Sequence, residues 1–165
     1  MVPELLILAL DFYRAPLNYP QLVNPDRALP ESFDNLIGAF AVALSPGKIE
    51  ATARALGTSA EVVDKASSFF LRQVLLVPGG SHYRVLGLSP DASEADVREH
   101  YQLLVRVFHP DRSGGDPGQN AEYTARINDA YNTLKRADAR ERYDRQLGRE
   151  RRGRRATEAD LNRFH

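Results

Sequence analysis

No cysteine occurs in this sequence, and that absence excludes disulfide frameworks, thiol nucleophiles, iron–sulfur ligation and cysteine-type zinc sites. A reducing compartment, the cytoplasm, is the expected location. An excess of charge of one sign is lacking too. The 22 Lys and Arg balance 22 Asp and Glu, so no net field gathers nucleic acid or an anionic membrane, and any such binding has to be local. Long hydrophobic runs are also missing. The greasy start, Met1 to Leu10, has no basic n-region, carries Glu4 and reaches Asp11 after six apolar residues, too few to span a bilayer. It reads as a buried helix start with Pro3 in its first turn, an interfacial anchor being the weaker alternative. With 165 residues, 42% of them apolar, the chain has material for one medium domain or two small helical ones, too little for a large multidomain enzyme.

Four of the ten prolines, Pro16, Pro20, Pro25 and Pro30, fall in one stretch that is expected to wrap as extended loop. Helical spacing begins after it. Phe33, Leu36, Ile37, Phe40 and Leu44 share one face, and Ser45-Pro46 is placed to close that helix and cap the next. Ile49, Ala53 and Leu56 form a short helix that Gly57 terminates in the left-handed region. Thr58 or Ser59 then caps a helix carrying Val62, Val63, Ala66, Phe69, Phe70 and Val74. Pro78-Gly79-Gly80 lacks apolar spacing and is the natural seam between two modules, 1–80 and 81–147. Beyond it, a helix from about Ser93 to Phe108 presents Val97, Tyr101, Leu104, Val105 and Phe108. A second presents Tyr123, Ile127, Ala130, Tyr131 and Leu134, so the two can pack antiparallel. The loop between them, His109 to Asn120, is longer than a tight hairpin needs, and excess loop on rigid helices is a common place for function.

His109-Pro110-Asp111 stands where the first of these helices must stop, because proline cannot continue it. The tripeptide alone means little; its surroundings are more specific. Tyr83-Arg-Val-Leu-Gly-Leu88, Ser93 to Val97, Tyr101, Leu104, the tripeptide, Ile127-Asn-Asp-Ala-Tyr131, Leu134, Arg140 and Tyr143-Asp144 follow one another at compatible spacing. In this the segment from His82 to Leu147 resembles a J-domain, the module of DnaJ-type co-chaperones. The resemblance implies a short helix I, the antiparallel pair II and III and a final helix IV. It also implies docking on the ATP-bound state of a DnaK-type heat-shock chaperone, whose ATP hydrolysis is thereby triggered. A partner can do this only by binding the hydrolysis-competent arrangement better than the others. Carried over from the motif, Asp111 would pair with a basic residue of the chaperone, Pro110 would fix the turn that aims it, and His109 would brace the loop and touch the partner. Arg98, Arg106 and Arg112 are then the positive contacts of the face.

The sequence departs from the family at Gln102, Leu103 and Val107, where basic residues are usual, so electrostatic steering toward an acidic chaperone surface is reduced. Leu103 and Val107 lie off the main apolar face and are expected to pack against the N-terminal module or a dedicated partner rather than water. Other chemistry finds little support. His82, His100 and His109 lack the short spacings of a metal site, no Gly-x-Ser-x-Gly occurs, and Gly114-Gly115 is not followed by the Lys of a phosphate-binding loop. Neither metal nor cofactor is expected, and the chain is read as no enzyme. A helix-turn-helix-like segment at 49–66, with Ala53, Gly57 and Val63 in register, exposes Glu61, Asp64 and Lys65, the wrong charge for duplex binding. The tail 148–165 holds five Arg against one Glu between Gly148 and Arg155 and is expected to be solvated and flexible. The reading is an all-α protein in which residues 1–80 supply targeting or client docking and 81–147 act on a DnaK-type ATPase. The rival is a nucleic-acid-associated adaptor using 49–66 or the Arg-rich tail; neither nucleic acid nor membrane is the expected partner.

Overall fold

The computed structural model describes residues 4–30, 33–108 and 117–163, which contain helices, turns and connections and no strand among the described residues. The fold is all-α. Helix α1 (Glu4–Arg14) buries Leu5, Leu6, Ala9, Leu10 and Phe12, a stripe that packs mainly on α4 (Ala60–Leu75). The Phe12 ring meets Phe69 and Phe70 at 5.6 Å, edge-on to the latter. Burying Phe70 completely contributes about 2–3 kcal/mol to this contact. Pro3 lies outside the described residues.

The proline stretch departs from the extended loop expected of it. Pro16–Asn18 and Pro20–Val23 are 3₁₀ turns, each with its proline at the start, where a missing N–H leaves no bond unmade. Helix α2 (Phe33–Ala43) buries Ile37 and Phe40, with Leu44 buried just past its end; the side chains of Phe33 and Leu36 lie outside the described residues. Ser45 closes this helix, its hydroxyl donating to Val42 O at 2.7 Å, but the cap of α3 (Ile49–Ala55) falls at Lys48 with no side-chain bond. Gly57 adopts φ +70°, and Ser59 accepts from Val62 N to start α4, as their positions in the sequence predict.

The seam is a tight turn. Gly80 N donates to Val77 O at 3.2 Å across Pro78 and Gly79, the latter at φ +80°, the pairing a type II turn requires. Leu75, Leu76 and Val77 before it and Tyr83, Val85 and Leu86 after it are all buried, and one continuous core runs from Leu5 to Leu134. Past the turn come α5 (His82–Val85), α6 (Glu94–Val107), α7 (Pro117–Leu134) and α8 (Ala137–Asn162). Helix α7 begins at Pro117, inside the interval to Asn120 expected to be loop; proline is well suited to the first turn of a helix. Residues 148–162, expected to be unstructured, continue α8 as a helix with every side chain beyond Gly148 exposed. Arg, Ala and Glu are good helix formers, and a polar helix has no apolar face to announce it.

Candidate functional site

Ser93 caps α6 by accepting from Asp96 N at 3.1 Å, while the Asp96 carboxylate accepts from Ser93 N at 3.2 Å. This reciprocal pair satisfies two amides that the helix itself leaves open. One face then zips to α7. Tyr101 stacks on Tyr131 with ring centres 3.9 Å apart and donates to Asn128 Oδ1 at 2.7 Å, and Phe108 meets Tyr123 at 5.8 Å. The pairing runs forward along α6 and backward along α7, so the helices are antiparallel. Thr124 Oγ1 donates to Phe108 O and ties the last turn of α6 to its neighbour at the base of the loop.

The opposite face carries the candidate contacts. Arg98, Gln102 and Arg106 are all exposed at i, i+4 and i+8, a strip about 12 Å long that leads toward the loop. His109, Pro110, Asp111 and Arg112 lie outside the described residues. A third stripe, His100, Leu103 and Val107, is not open. His100 is buried with its Nδ1 at 2.8 Å from Leu86 O, Leu103 is half-buried, and Val107 is 9% exposed. The expectation that Leu103 and Val107 avoid water by packing within the chain is met: both belong to or pack against the common core, and α2 lies on α6.

The base of the site is fixed from α5. Tyr83 donates to Asp144 Oδ1 at 2.5 Å and accepts from Arg140 Nε at 3.0 Å; Arg140 Nη2 also reaches Pro90 O and Ala92 O. Burial first, then the bond to Asp144, pushes the Tyr83 hydroxyl up to about 12. His82 packs its ring on Tyr143 at 4.5 Å, its backbone N–H donating to the Tyr143 hydroxyl, and burial holds the imidazole below its ordinary value. Among the described residues no cluster of three His, Asp or Glu is gathered as a metal ion needs, and no helix is long and apolar enough to cross a membrane.

The family model for the DnaJ domain matches residues 81–144. These residues are a DnaJ domain. Over 64 residues, 39% of this chain, the chain is 41% identical to the chaperone protein DnaJ of Roseobacter denitrificans, covering 16% of that protein. The chaperone protein DnaJ of Nitratidesulfovibrio vulgaris is 39% identical over 64 residues, with 17% of its length covered. The matched part thus spans about a sixth of the curated relatives. No solved structure matches. J-domain proteins in general partner with DnaK-type chaperones.

Two arginines that join the J-domain to the preceding residues escaped the sequence reading. Arg84 is buried and, among the described residues, has no carboxylate partner but donates to four carbonyls: Val74 O at 2.8 Å, Asn24 O at 2.9 Å, Arg27 O at 2.7 Å and Leu22 O. Burial lowers its pKa from the ordinary value, while the guanidinium fork matches the divergent carbonyls. Arg126 of α7 donates to Leu76 O and to Val77 O at 3.3 Å, bracing the end of α4. A buried cation served only by backbone oxygens leaves no charge pattern in sequence; the one signal is an Arg inside the otherwise apolar run from Tyr83 to Leu88.

Proposed function

We propose that this chain is a co-chaperone: it docks on a DnaK-type chaperone through α6 and the His109-Pro110-Asp111 loop and stimulates ATP hydrolysis there, carrying out no reaction itself. The observation that carries the reading is the exposed strip Arg98, Gln102 and Arg106, which leads along a rigid helix to that tripeptide in a DnaJ domain. Asp111 acts by a charge-assisted contact whose strength depends on geometry, with Pro110 beside it in the motif. His109 and Arg112 are the further contacts that the family motif assigns to this reading. Residues 1–80 serve as the docking or targeting part, in the cytoplasm and with no cofactor.

The test is steady-state ATP turnover of a purified DnaK-type chaperone with the intact protein, with His109→Gln and with Asp111→Asn. Stimulation by the intact protein and its loss in both variants is the expected result. Equal stimulation by all three overturns the reading.

One observation favours a second reading. Helix α8 carries Arg149, Arg151, Arg152, Arg154 and Arg155 on an arm that is exposed throughout, the local cationic density that phosphate binding uses. Titration with duplex DNA at two salt concentrations separates the two. A steep salt slope supports the adaptor role; no binding at either concentration removes it.

A further inference from the structure

Helix α6 packs extensively on two helices, α7 and α2. The stripe Val97, Tyr101, Leu104 and Phe108 is accounted for by α7 through the Tyr101–Tyr131 stack and the Phe108–Tyr123 contact. The flank of His100, Leu103 and Val107 is covered too: His100 Nδ1 meets Leu86 O, and α2 is the other helix that packs on α6. The residue types agree with a covered surface, because a lysine or arginine held there would lose hydration without a partner, whereas Leu and Val lose nothing. Helix α2 is itself held from behind. Ile37, Phe40 and Ala43 are buried in the common core, and Ile37 Cδ1 occupies the space a side chain at Gly87 would need. Helix α6 therefore shows a partner one exposed strip, with α7 on one side and α2 on the other.

We propose that α2 is a fixed cover over one flank of α6, so that a docking ATPase meets only the exposed face of Arg98, Gln102 and Arg106, with Glu99 beside them, and fits it beside α2 without displacing that helix. The partner surface it suits is about one helix wide and acidic where it faces Arg98 and Arg106. A chaperone surface shaped to embrace both flanks of α6 is excluded by α2. The inference rests on the docking reading for the identity of the partner, but the cover itself is a property of the chain alone.

The absence of cysteine allows a direct test. Gln102→Cys, Leu103→Cys, Arg106→Cys and Val107→Cys are made singly in the full chain, and labelling by a small maleimide is timed with and without an ATP-bound DnaK-type chaperone. In the isolated chain, labelling at 103 and 107 is expected to be at least about tenfold slower than at 102 and 106, because it waits on local opening. Equal rates overturn the cover. With the chaperone, protection at 102 and 106 and unchanged slow labelling at 103 and 107 support docking beside α2, whereas faster labelling at 103 or 107 shows α2 lifting and overturns it. If the chaperone protects neither 102 nor 106, the docking reading fails, and the rates in the isolated chain still decide the cover. Amide exchange of residues 37–43 in the unsubstituted protein gives an independent check: acceleration on chaperone addition overturns the proposal, and unchanged or slower exchange supports it.

Discussion

Tyr83 Oη donates to Asp144 Oδ1 across 2.5 Å, joining α5 to α8. The phenol is buried while the carboxylate lies at the edge, so the bond fixes the start of the J-domain against its last helix. Tyr83→Phe keeps the ring and removes both the bond to Asp144 and the acceptor for Arg140. The expected loss is about 1–1.5 kcal/mol, because Asp144 regains water while Arg140 retains its two carbonyls. A shift of the urea midpoint at unchanged slope measures it.

His82 gives a pH signature. Burial holds its folded pKa below the ordinary 6.5, with Arg126 acting in the same sense and Asp129 opposing. The unfolded chain therefore takes up the proton first. Stability is expected to fall as pH drops through about 6.5 and to level off below the folded value. His82→Phe keeps a ring against Tyr143 and should flatten the change in denaturant midpoint between pH 7.5 and 5.5; an identical slope in the variant would remove His82 as its source.

Gly87 sits at φ +68° with Ile37 Cδ1 in the place of a Cβ. Gly87→Ala is expected to cost about 2–4 kcal/mol, part from the left-handed backbone and part from the collision. Ile37→Val removes the colliding atom. In that background the alanine penalty should shrink to about 1–2 kcal/mol of backbone strain, and a double-mutant cycle by chemical denaturation reads the coupling.

Arg84→Met takes the guanidinium donor from four backbone carbonyls, those of Val74 and Leu22 in a buried setting and those of Asn24 and Arg27 part-buried, Asn24 O keeping its bond from Arg27 N. About 3 kcal/mol or more of stability should be lost, visible as a fall in Tm. Arg84→Lys is expected to recover less than half of this, since an ammonium donates from one point and the carbonyls of Leu22, Asn24, Arg27 and Val74 diverge. Full recovery with lysine would mean that charge, not the fork, holds the segment.

Much of the helical pattern is legible because it is written locally. Ser59, one of the two caps the spacing offers, starts α4, Ser93 stands at the expected start of α6, Gly57 terminates α3, and the stripes of α4, α6 and α7 point inward. Local reading fails where the controlling partner is distant. The proline stretch coils into 3₁₀ turns, and Arg84 of α5 gathers the carbonyl of Leu22 in the second turn and those of Asn24 and Arg27 after it, a relation that no window of sequence contains. Helix α8 has no buried residue and hence no periodicity to betray its length. At the candidate site, the exposed strip follows from helical spacing alone. The burial of Leu103 and Val107 is signalled by their apolar character, but that α2 packs on α6 is a tertiary fact.

With the seam folded into a four-residue turn and Arg84 and Arg126 gripping its banks, the chain has no slack at residue 80. Whatever holds residues 4–30 thereby also sets the bearing of the far helix, as a handle sets the bearing of a key.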